Sequence, residues 1–184
     1  MAKSASTGFV YARNLNTGVQ NPQTLEVLLA NSTGPLTVGD AVQYTSGYLT
    51  IAATGESVLG ILAGFVDKDG RNIFQSGVNV TGTKSGDDTY TAASDNQTVD
   101  FVKGIVIVDP NALFLNEADS SLTQAEVGTY FDTTAASDQI TGSGSATISQ
   151  FQLVELVTAD GAGNAVNDYG LFRISQTQLG WAAS

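Results

Sequence analysis

Short apolar runs recur along this chain, and each is broken within a few residues by Gly, Asn, Asp or Ser. Runs of that length suit strands, and they are rich in Thr, Val, Ile, Tyr and Phe, which favour a pleated, half-buried surface. The pattern predicts strands over residues 25–30, 41–45, 48–52, 58–66, 78–83, 98–108, 112–116, 129–132, 146–157 and 170–174. Ser46-Gly47 joins two of them as a compact hairpin, because Gly takes the positive φ that a two-residue turn demands. Asp67-Lys68-Asp69-Gly70 is expected to close a further strand in the same way. Thr123 and Glu126 form a capping box ended by Gly128, which predicts one short helical turn. Turns this frequent give an all-β fold, a β-sandwich or β-barrel, and not βαβ units. A folded chain of 184 residues buries roughly 70% of its extended surface, enough for a core without covalent staples.

It has no such staples. There is no cysteine, so disulfides, zinc thiolate centres and thiol nucleophiles are excluded. There is no histidine, so the commonest general base and transition-metal ligand are missing too. Seven Lys and Arg against 18 Asp and Glu leave a formal net charge of −11, which argues against gripping nucleic-acid phosphates. No stretch approaches the roughly 20 apolar residues of a membrane helix, and the N-terminus lacks an apolar core of signal-peptide length. The expectation is a structural or binding protein: no enzyme, no cofactor, no metal, no nucleic acid, no membrane.

The individual motifs agree with that expectation. Asp67-Lys68-Asp69-Gly70 begins like a calcium loop, but Arg71 and Asn72 stand where an oxygen ligand and a Gly are needed, so it reads as a turn. Thr141-Gly142-Ser143-Gly144-Ser145 lacks the third Gly and the following helix of a phosphate-binding fingerprint, so it reads as a loop. Paired carboxylates could run a glycosidase without His, yet the acids sit in turn contexts and the aromatic content of 8% gives no dense sugar-stacking platform. Three sequons, at Asn31, Asn79 and Asn96, lie in polar stretches that fit exposed loops. Gly60-Ile61 with Val66-Asp67 echoes Gly104-Ile105 with Val108-Asp109, which reads as the shared grammar of buried strands and not as a repeat.

Residues 1–25 contain Lys3 and Arg13 and no acid, whereas the rest of the chain holds all 18 acids. That asymmetry divides the chain into residues 1–24, read as an extended N-terminal arm or equally as a disordered terminus, and a β-rich body, 25–184. With no catalytic constellation to explain exposed apolar residues, the candidates for interface burial are Phe9, Val10, Tyr11 and Arg13 on the arm, and Tyr44, Tyr48, Phe74 and Trp181 on the body, since aromatic side chains are enriched where protein surfaces meet. The body's self-repulsion opposes association, so a homo-oligomer requires a sizeable apolar interface.

Two stretches carry a resemblance. The first is Val38-Gly39-Asp40-Ala41-Val42, then Gly47-Tyr48-Leu49, Ala53, Gly55 and Val58-Leu59-Gly60-Ile61-Leu62-Ala63-Gly64. The second is Asp109-Pro110-Asn111-Ala112-Leu113-Phe114, then Asp119, residues 122–128, Thr141-Gly142-Ser143-Gly144-Ser145 and Leu171-Phe172-Arg173-Ile174. In this order they resemble the decoration, or cement, proteins of tailed bacteriophages, over most of residues 36–176. The resemblance implies a virion protein on the outer capsid surface whose partner is the major capsid protein. It also implies self-association, with a trimer favoured by the three-fold positions of a capsid lattice and a dimer as the alternative. A receptor- or glycan-binding β-module of a phage fibre or cell surface is the second reading.

Overall fold

A computed structural model describes residues 8–16, 21–86, 88–134, 139–141, 144–145, 147–157 and 169–179. The strands among them are β1 (Val10–Asn14), β2 (Thr24–Leu28), β3 (Leu36–Thr37), β4 (Ala41–Thr45), β5 (Tyr48–Ile51), β6 (Gly60–Val66), β7 (Thr83–Ser85), β8 (Thr89–Thr91), β9 (Lys103–Ile107), β10 (Ala112–Glu117), β11 (Tyr130–Phe131), β12 (Phe151–Val157) and β13 (Tyr169–Ile174). They form three antiparallel sheets, in the orders β1-β10-β13-β12-β11, β2-β9-β6-β4-β5 and β3-β8-β7. The second sheet curls until its edges meet, where Leu29, just past β2, bridges Leu49 of β5. It is therefore a small five-stranded barrel, and the first sheet lies against it. The all-β class expected from the sequence is what the structure shows.

The packing follows from period-two alternation on strands buried on both faces. On β4, β6 and β9, Val42, Leu62 and Val106 point into the barrel with Leu29, Leu49, Phe65 and Tyr90. Their neighbours Ala41, Ile61 and Ile107 point the other way, into a second core shared with Phe114, Phe131, Phe151 and Phe172 of the first sheet. Fully burying such a side chain contributes about 1.5–3 kcal/mol. The echo between residues 60–67 and 104–109 has the same origin: β6 and β9 are ladder neighbours, Ile61 opposite Ile107 and Leu62 opposite Val106. Inside the barrel the tips of Leu49 and Leu62 pack onto the bare backbone of Gly104. A Cβ there would overlap Leu49 Cδ2 and lie 2.9 Å from Leu62 Cδ1.

Local signals hold where the turn chemistry is explicit. Ser46 and Gly47 both take positive φ, 53° and 87°, the geometry of a type I′ hairpin. The helical turn is a 3₁₀ segment, Gln124–Glu126, and the Glu126 carboxylate accepts the Thr123 N–H at 2.7 Å and its hydroxyl at 2.9 Å. Other boundaries move. Residues 78–82 form no strand, and pairing begins at Thr83. Residues 94–100 fold into turns, so the strand predicted over 98–108 shortens to Lys103–Ile107. The strand predicted over 146–157 begins at Phe151.

The N-terminal division is corrected in part. Within the segment assigned to an extended arm, β1 is laddered onto β10, with Tyr11 opposite Phe114 and Asn14 opposite Ala112. Its preceding residue Phe9 is only 3% exposed. Residues 8–16 thus belong to the body, because their backbone groups and their apolar face are satisfied there.

Candidate interaction surfaces

The four candidates on β1 separate by face. The Phe9 ring stacks on Phe151 with centroids 4.5 Å apart and meets Phe114 edge-on at 6.4 Å. Tyr11 meets the same Phe114 at 6.3 Å. Phe9 is therefore a core residue of its own chain and is unavailable to a partner. Ala12 has no ladder partner, since Tyr11 faces Phe114 and Arg13 faces Leu113. This bulge brings Val10 and Arg13, three residues apart, to the outer face of the sheet.

Arg13 does more there than carry charge. It pairs with Glu155 of β12, two strands beyond the neighbouring β10. Leu113 is directly opposite Arg13, Leu171 of β13 is directly opposite Glu155, and Leu115 is opposite Leu171, so all these side chains share the outer face. The ion pair spans the face that carries Leu113 and Leu171, both buried although neither belongs to the two main cores. Both charged groups remain about half exposed, so solvent screening leaves the ion pair little to contribute to stability.

The candidates on the body do not converge either. Tyr44 is opposite Leu49, a barrel-core residue, whereas Tyr48 is opposite Thr45, so the two tyrosines occupy opposite faces of one hairpin. Tyr44 packs on the barrel core, and its backbone N–H donates to Gln178 Oε1 at 2.6 Å. Phe74 is half-buried against Phe65, centroids 6.1 Å apart. Trp181 lies outside the described residues.

The charge layout is one-sided. Every Lys and Arg among the described residues is engaged within the chain. Arg13 meets Glu155, Lys68 meets Asp69, Arg71 meets Asp67 and Asp69, and Lys103 meets Glu26. Lys84 donates to the carbonyls of Ile73 and Val78, and Arg173 to Gln152. The Asp67 turn shows how completely such a group is satisfied. Its buried carboxylate accepts the N–H groups of Asp69 and Arg71 at 2.9 Å, and Arg71 Nε and Nη2 at 2.9 and 2.7 Å. Burial alone would raise its pKa, but these bonds and the Arg71 charge together outweigh burial and hold it below the ordinary aspartate value. A guanidinium thus fills the ligand side of the would-be calcium loop. Among the described residues, no group of three or more acidic side chains is placed to hold a metal ion.

Two exposed apolar side chains on one loop were not among the candidates. Val99 and Phe101 are 49% and 39% exposed on the loop that leads into β9. Had a strand begun at Thr98, Lys103 would have joined Val99 and Phe101 on one face, and Asp100 would have joined Val102 on the other. Neither face is then a clean apolar one, and that conflict was the available signal for a loop. The same loop corrects one sequon. Asn31 and Asn79 are exposed, but Asn96 is fully buried and its amide donates to the carbonyls of Leu29 and Val102 at 2.9 and 3.3 Å. No protein-family model, curated protein or solved structure matches this chain.

Proposed function

We propose that this chain is a non-enzymatic structural virion protein, a decoration or cement protein that binds the major capsid protein lattice on the outside of a phage head and stabilises it. One observation carries the reading: β4, β6 and β9 feed two apolar cores at once, so barrel and covering sheet form a single cohesive β body. Such a body suits a protein whose work is mechanical, and symmetric copies linked into one oligomer turn modest contacts into high avidity. An acidic exterior whose described cations are internally engaged limits unwanted adhesion. The test is stoichiometry in purified particles, this chain quantified against the major capsid protein. Comparable copy numbers are expected, and a handful of copies per particle would refute the proposal in favour of a fibre component.

A further inference from the structure

We draw no further inference here: the strongest candidate, the surface patch of Val99 and Phe101 on the loop that leads into β9, is an unpartnered apolar face, and nothing in the structure shows what covers it.

Discussion

Gly104 and Asp67 are single residues whose surroundings set specific expectations. At Gly104 one added methyl overlaps Leu49 inside the barrel. G104A is expected to cost about 1–3 kcal/mol, as overpacking does, and to lower the melting temperature measured by calorimetry. Asp67 is a question of protons. Its folded pKa lies below the ordinary value of about 3.9, so in that window the unfolded chain binds more protons and stability rises with pH. The contribution is complete above the ordinary aspartate value and is lost as pH falls through the depressed folded one. D67N should therefore flatten the acid limb of the stability-against-pH curve below about pH 4, seen in urea titrations at stepped pH. A limb as steep as the parent's would show that other carboxylates dominate it.

Elements that advertise their turns were legible in the sequence, and those that depend on distant partners were not. The β4–β5 hairpin and the Thr123–Glu126 turn follow from a few adjacent residues, and the central strands follow from unbroken apolar patterns. β1 was missed because Val10–Asn14 alternates poorly: a bulge at Ala12 resets its faces, and its burial depends on Phe151, far along the chain. β7 and β8, three residues each, are below the length at which periodicity speaks. Among the interface candidates, residue type alone could not tell Phe9, stacked inside, from Phe101, held outside by hydrogen bonds from remote Thr81 and Gly82. At this scale the expectation for β1 is specific. F9A should cost about 3–5 kcal/mol, and deletion of residues 1–16 should destabilise the body in chemical denaturation, whereas a dispensable arm would leave it unchanged.

For the whole molecule, electrostatics and burial pull in opposite directions. Net charge resists self-association, so an oligomer needs a sizeable apolar interface. At about 25 cal/mol per Å², a standard interface of about 1,600 Å² outweighs the repulsion before association entropy is deducted. Added salt screens the repulsion and spares the apolar term. Light scattering after size exclusion, at low and moderate salt, should therefore find a mass three times the 19.0 kDa chain that persists or tightens with salt. A monomer under both conditions would confine assembly to the capsid surface.

Barrel closure also orders events in time. The ladder partner of β2 is β9, and that of β1 is β10, so strands completed by Leu28 must wait for Lys103–Glu117 to be synthesised. Pairings so distant in sequence form slowly, because loop closure is resisted before any contact repays it. During translation the apolar faces of β2, β4 and β6 are on hand with no ninth strand to join them. A nascent chain halted before Lys103 therefore holds most of a barrel's strands and no means of closing it, which makes that interval the period in which this protein most needs shelter from aggregation.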